Sequence, residues 1–253
     1  MARWIGVVVV CCVSFAFSQS DLQMLLQEGD AAFEQHDNQK AVEYYEQVIA
    51  QDSSNCEALW KASRSHVNLG EFAEKDEQEP HYETAEMLAR KAAQLCPENP
   101  DVTLTMAIAV GRLALMRGGK TKVSLSKEVK EYAEKTLELD PQNDIAHHIL
   151  ARWHREVNDL SGLLKMFAKV LYGGLPPASK EKAFEHFETA IQLNPDYINH
   201  HLEMGITYES EDEWQKAKDE YETVMSLPIQ EPRDEKLKTL AEKRLKEVND
   251  KLD

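Results

Sequence analysis

The chain reads as all-α: a right-handed superhelical array of about five helix hairpins, with an extra helix in the fourth hairpin and a capping helix at the C-terminus. Three observations predict this. Small residues, glycines and closing prolines recur in one register from about Leu22 to Met225, and the apolar residues between them follow helical spacing. The third observation is size. A chain of 253 residues with 42% hydrophobic content buries ample apolar surface, and a stacked array does so without splitting into separate domains.

Each hairpin can be justified in turn. The first, about residues 22–55, carries Gly29, Ala41 and Tyr45, turns at Gln35 to Asn38 and has Ser53 where a proline would close it. The second, 56–99, has Gly70 at its turn, then an acidic, proline-bearing insertion from Glu74 to His81. Its second helix resumes near Tyr82 with Ala85, Ala89, Ala92 and Pro97. The third, 100–143, breaks at Arg117-Gly118-Gly119-Lys120-Thr121, where glycines stop one helix and let the chain turn, and it closes with Ala133 and Pro141. The fourth, 144–197, contains a long insertion from Asp159 to Lys180. There Leu163, Leu164, Phe167, Val170 and Leu171 recur at helical spacing, before Gly173-Gly174 and Pro176-Pro177 interrupt it. Ala183, Phe187, Ala190 and Pro195 then complete the hairpin. The fifth, 198–228, carries Gly205, Tyr208, Ala217 and Tyr221, and Leu237, Leu240, Leu245 and Val248 form the narrow stripe of a cap over 234–252. This is the tetratricopeptide pattern, in which small residues sit where helices cross and a proline closes the second helix. Such an array presents a concave surface rather than a catalytic pocket.

The first 18 residues read as a separate segment. Arg3 precedes an uncharged apolar run from Ile5 to Phe15, and Ala16-Phe17-Ser18 places small residues before Gln19, the arrangement of a cleaved export signal. The run is shorter than the roughly 20 residues of a membrane-spanning helix. Cleavage near Ser18-Gln19 predicts a periplasmic or secreted protein over residues 19–253. The formal charge of −16, from 45 acids against 29 bases, argues against a general grip on nucleic acid or anionic lipid surfaces. After cleavage only Cys56 and Cys96 remain. An antiparallel helix pair brings them to the same end of the second hairpin, where either a disulfide or two separate buried thiols fit.

One stretch goes beyond a generic repeat. Phe167-Ala168-Lys169-Val170-Leu171-Tyr172-Gly173-Gly174-Leu175-Pro176-Pro177-Ala178-Ser179, followed by Lys182-Ala183-Phe184 and the closing Asn194-Pro195, resembles the regulator of microtubule dynamics family. The resemblance runs from about Ala58 to Leu245 and includes Ala151-Arg152-Trp153 and Leu202-Glu203-Met204-Gly205-Ile206-Thr207-Tyr208. It implies a noncatalytic helical-repeat fold, with relatives associated with microtubules and organelle contacts. The charge of this chain opposes the acidic face of a microtubule, so a microtubule partner is not expected.

In a stacked array the first helices of successive repeats line the concave face. The register places there Trp60 and Arg64, then Leu104, Ile108 and Arg112, then His148, Arg152 and Arg155, and finally Asn199, Leu202 and Ile206. Arginine forks clasp a carboxylate or phosphate through two parallel hydrogen bonds. The competing account pairs these arginines with Glu57, Glu156 and Glu203 and assigns Trp60, Trp153 and the apolar residues to packing. Gly119-Lys120-Thr121 lacks the earlier glycine and the strand of a phosphate loop. His147-His148 and His200-His201 point to different helix sides, and His147 with His154 lacks further ligands at zinc spacing. No nucleophile elbow or metalloprotease helix is present. The sequence therefore predicts an exported, noncatalytic scaffold without cofactor or metal. Its arginine-bearing groove would hold a protein or peptide with an acidic or carboxylate group. A carrier of a lipid or other amphipathic small molecule is the alternative.

Overall fold

A computed structural model describes residues 19–162, 165–166, 169–170 and 174–253. Among them are eleven helices: α1 (Gln19–Glu34), α2 (Asn38–Gln51), α3 (Cys56–Phe72), α4 (Gln78–Leu95), α5 (Pro100–Met116), α6 (Gly119–Leu139), α7 (Asp144–Asn158), α8 (Lys180–Leu193), α9 (Ile198–Glu209), α10 (Trp214–Ser226) and α11 (Pro232–Leu252). Each of the five sequence repeats contains one antiparallel pair, and consecutive pairs stack into a superhelical array. The export segment, residues 1–18, lies outside the described residues.

Side chains fix where the helices begin. Asn55, Asn99 and Asn143 each accept hydrogen bonds from backbone N–H groups in the first turn of α3, α5 and α7, while Asp37 and Ser179 do so for α2 and α8. These bonds satisfy donors that the helix itself leaves open. Helix α4 starts at Gln78, four residues before the sequence expectation of Tyr82, because Pro80 falls within its first turn, where a missing N–H costs nothing. The glycine break of the third repeat shrinks to Arg117 and Gly118, and Gly119 opens α6 with a φ of 59°.

Three glycines explain how paired helices approach. A Cβ on Gly29, Gly70 or Gly205 would stand 2.4, 2.5 or 2.5 Å from a ring carbon of Tyr45, Tyr82 or Tyr221. Each tyrosine thus fills the space its glycine leaves, and the ring is buried. The third repeat departs from this. Opposite Gly111 sits Val129, 3.7 Å from the same virtual atom. A branched aliphatic side chain there leaves the crossing of α5 and α6 less filled.

The extra helix expected within the insertion of the fourth repeat is described only in part. Gly162, Lys165, Met166, Lys169 and Val170 are helical and exposed, and Val170, expected on the apolar stripe, is 75% exposed. Leu163, Leu164, Phe167 and Leu171 lie outside the described residues. Helix α11 begins at Pro232 with a reciprocal cap between Glu231 and Asp234, whose carboxylate also accepts from Gln230 N at 2.8 Å. Cys56 and Cys96 form a disulfide with Cα atoms 6.5 Å apart, joining the start of α3 to the end of α4.

Candidate functional site: the concave groove

The concave face of α3, α5 and α7 encloses a cavity of about 440 Å³, extended by the start of α9 and closed on one side by the start of α11. Seven of the sequence-predicted residues line it: Arg64, Leu104, Ile108, Arg112, His148, Arg152 and Asn199. Its deeper wall is apolar, built from Val67, Gly111, Val123, Val129, Trp153 and Val157. Trp153 is held by donating its indole N–H to the Ser126 carbonyl at 2.7 Å.

Four predicted residues stand elsewhere. Leu202 is 1% exposed and belongs to the core between α9 and α10, with Ile206 packed against the same cluster. Both point into the fifth hairpin because α9 is nearly enclosed by its neighbours. Arg155 is buried between α7 and α9, where it donates to the Glu203 carboxylate at 2.5 Å, the Glu203 carbonyl at 2.9 Å and Thr207 Oγ1 at 3.1 Å. It is a helix-to-helix tie rather than a groove cation. Trp60 packs on the first core and lies beneath the Arg64 guanidinium, 5.0 Å from its ring.

The groove arginines are mostly neutralised. Arg112 pairs with Glu71, Arg152 with Glu156 at 3.3 Å and Glu203 at 3.4 Å, and Arg233 with Glu231 at 2.8 Å and Glu71 at 3.5 Å. Four guanidiniums, counting Arg155, thus face four carboxylates. Burial, with Arg233 and Arg152 nearby, pushes Arg112 down to about 10, which leaves it charged at neutral pH. Glu203 raises Arg152 against the opposing effect of burial. Burial acts to raise Glu203 itself, yet Arg152 and Arg155 outweigh it and hold the carboxyl below its usual range. Arg64 has no carboxylate at ion-pair distance among the described residues.

Beneath the groove runs a polar chain. His148 Nδ1 and His200 Nδ1 are 2.9 Å apart, His200 Nε2 is 3.0 Å from the Asp144 carboxylate, and Asn199 Nδ2 is 3.4 Å from His148 Nε2. Burial, His200 and the arginines drive His148 well below the ordinary histidine range, so it is neutral. On the other side of α7, His147 Nδ1 meets His186 Nδ1 at 2.9 Å, and His154 stacks on His186. The adjacent histidines do diverge, each into a different partner.

Sequence reasoning missed Phe33, Asn68, Glu71, Tyr197 and Arg233 on the groove wall. Arg233 had no repeat register to place it, since it lies beyond the last hairpin. Gly111 carried a legible signal: it is a glycine whose partner on the next helix is not a tyrosine.

Stacked helix hairpins with a continuous concave groove define a tetratricopeptide-type repeat scaffold. The fold is similar to a thermophilic tetratricopeptide protein of Thermus thermophilus, with a TM-score of 0.63 at 15% identity over 88% of this chain and 98% of that one. It is also similar to MamA of Desulfovibrio magneticus RS-1, with a TM-score of 0.52 at 15% identity over 81% and 94%. The family model for regulator of microtubule dynamics protein 1-3 matches residues 25–249, and the chain belongs to that family. The match takes in the first repeat, which the sequence resemblance had left out. Regulator of microtubule dynamics protein 1 of Bos taurus is 25% identical over 191 residues, covering 74% of this chain and 60% of that protein. Protein 3 of Rattus norvegicus is 26% identical over 185 residues, covering 70% and 38%. The chain therefore matches only part of the length of these relatives.

Proposed function

We propose that this protein is an exported, noncatalytic scaffold that holds a peptide segment of a partner protein in the concave groove. The observation that carries the reading is the groove itself, whose wall combines Arg64 of α3 with Leu104, Ile108 and Arg112 of α5. Such a wall suits a ligand that combines an apolar side chain with an acidic group. Affinity would come from burying the first and from charge-assisted hydrogen bonds to the second. The net charge of −16 favours a partner other than nucleic acid or the acidic face of a microtubule. The Cys56–Cys96 disulfide and the apolar leader with its small-residue cleavage pattern support export. An intact mass beginning at Gln19 is the expected result for the protein recovered from its host, and one beginning at Met1 would refute processing.

Binding is tested by titrating the mature chain with peptides and raising the salt. Affinity should fall with ionic strength, and Ile108→Glu, which puts a carboxylate into the wall, should abolish it. Indifference to both would remove the groove from consideration.

The apolar depth of the cavity favours a second reading, a carrier of a lipid or other amphipathic small molecule. Val67, Val123, Val129 and Val157 offer an acyl chain a dry wall. Native mass spectrometry of the mature chain separates the two: a co-purifying lipid supports the carrier, and an empty groove supports the scaffold.

A further inference from the structure

We infer that Arg64 alone is the seat for a ligand carboxylate, and that Arg112, Arg152 and Arg233, although more central, serve to hold the groove walls together. This rests on the reading of the groove as a binding site for an acidic ligand, and it narrows that site to one cation at one end.

The argument is one of charge balance. Each central arginine already has a carboxylate in contact, and Glu71 serves two of them. An incoming anion there would have to displace a glutamate or sit beside it, and like charges in a partly desolvated groove repel. Arg64 is different. Its guanidinium carbon lies 3.7 Å from the centre of the Phe33 ring, its Nε, like that of Arg233, is buried without an acceptor, and it lines the cavity together with Asn68 and Leu104. Burial pushes its pKa down, and Tyr45, Asp30 and Asp101 only partly oppose that. A desolvated cation lacking a contact anion is the group that gains most when a carboxylate arrives.

Two rings hold the guanidinium in place, Phe33 at 3.7 Å and Trp60 at 5.0 Å from ring centre to Cζ. With aromatic rings against it, the N–H groups are the part left to donate, which suits two-point recognition of a carboxylate. Asn68 is anchored by donating to Asn38 Oδ1 at 3.0 Å, so the wall beside the fork is itself held in place. Leu104 and Ile108 line the same cavity. They favour an apolar residue next to the carboxylate.

The test uses a random octapeptide pool without Asp or Glu, made with free and with amidated C-termini, and retained on the immobilised mature protein. A third pool, amidated but containing Asp and Glu, distinguishes a chain-terminal carboxylate from a side-chain one. Wild type should retain a carboxylate-bearing pool over the amidated, acid-free pool. Arg64→Gln should erase that preference by about tenfold or more, as expected for a charged hydrogen bond. Arg64→Lys, which keeps the charge without the fork, should keep part of it. Arg112→Gln and Arg152→Gln should change the preference less than Arg64→Gln, even where they lower stability, which circular dichroism of each variant monitors. Carboxylate preference that survives Arg64→Gln overturns this inference while leaving the groove as a binding site. Retention of none of the pools overturns both.

Discussion

At the scale of single residues, the glycines make the sharpest case. Gly205→Ala forces a methyl to within 2.5 Å of the buried Tyr221 ring, and overpacking of that kind costs about 1–3 kcal/mol. Gly111→Ala has ordinary contact space at 3.7 Å and gains helix propensity, so it should be neutral or stabilise by up to about 1 kcal/mol. Urea denaturation should lower the midpoint of Gly205→Ala and leave that of Gly111→Ala unchanged or raised, and equal losses would contradict the packing described. Glu203 offers a second residue-level contrast. Glu203→Gln leaves the buried Arg155 without its charged partner and should cost several times more than Glu156→Gln, since Glu156 is 34% exposed and its pair with Arg152 is partly solvated. A double-mutant cycle with Arg155 measures the difference.

At the scale of elements, two interfaces are open to test. The disulfide between the start of α3 and the end of α4 spans 40 residues, and closing a loop of that size stabilises by about 4 kcal/mol in the chain-entropy model. Reduction, or paired Cys56→Ala and Cys96→Ala, should lower the urea midpoint accordingly; an unchanged midpoint would show that the pairing contributes nothing. The packing of α7 on α8 and of α3 on α4 relies on neutral histidines. Burial, with His81 beside it, holds His66 at about 4; burial with Lys182 and Lys130 does the same for His154, and burial with His147 and His154 for His186. In the unfolded chain these groups titrate near 6.5. Between about pH 6.5 and 4 the unfolded state therefore binds protons that the folded state does not, and stability falls as pH falls through that window. His201 runs the opposite way. Burial lowers it, but Glu220 and the Pro195 carbonyl outweigh burial and raise it, so its stabilisation is lost as pH rises above about 6.5 and is constant below that, leaving the decline toward pH 4 untouched. Unfolding followed at pH 7 and pH 5 should show the decline, and His186→Asn should flatten it.

At the scale of the whole molecule, distant parts of the chain meet across the groove. Arg233 and Lys236 at the start of α11 reach Glu71 at the end of α3, and Lys236 lies 4.4 Å from the centre of the Phe72 ring. This contact joins residues more than 160 positions apart and turns an open trough into a walled cavity. Glu71→Gln removes the carboxylate shared by Arg112 and Arg233, leaving like charges facing each other. Amide exchange in the first turn of α11 should then accelerate while that of α1 and α2 stays as it was. Unaltered exchange in α11 would mean that the clasp is held by something else.

Much of the fold was legible because helix pairing is local. Gly29 with Tyr45 and Gly205 with Tyr221 mark hairpins that can be read from spacing alone. The groove was legible in outline, through Arg64, Ile108, Arg112 and His148, since first helices of stacked repeats share a face. It failed where orientation depends on neighbours. Arg155, Leu202 and Ile206 follow the same periodicity as true groove residues, yet α9 is so enclosed that the last two become core and the first a tie between helices.

The sequence by itself determined that this chain is a stack of helical hairpins with a concave wall, because that information lies in short-range periodicity and in pairs of residues close in the chain. Only the tertiary structure decided which cations face the groove with a partner and which without. That depends on superhelical curvature, which brings Glu71 of the second repeat to Arg233 of the capping helix, and no local pattern encodes a contact made by the sum of many small rotations.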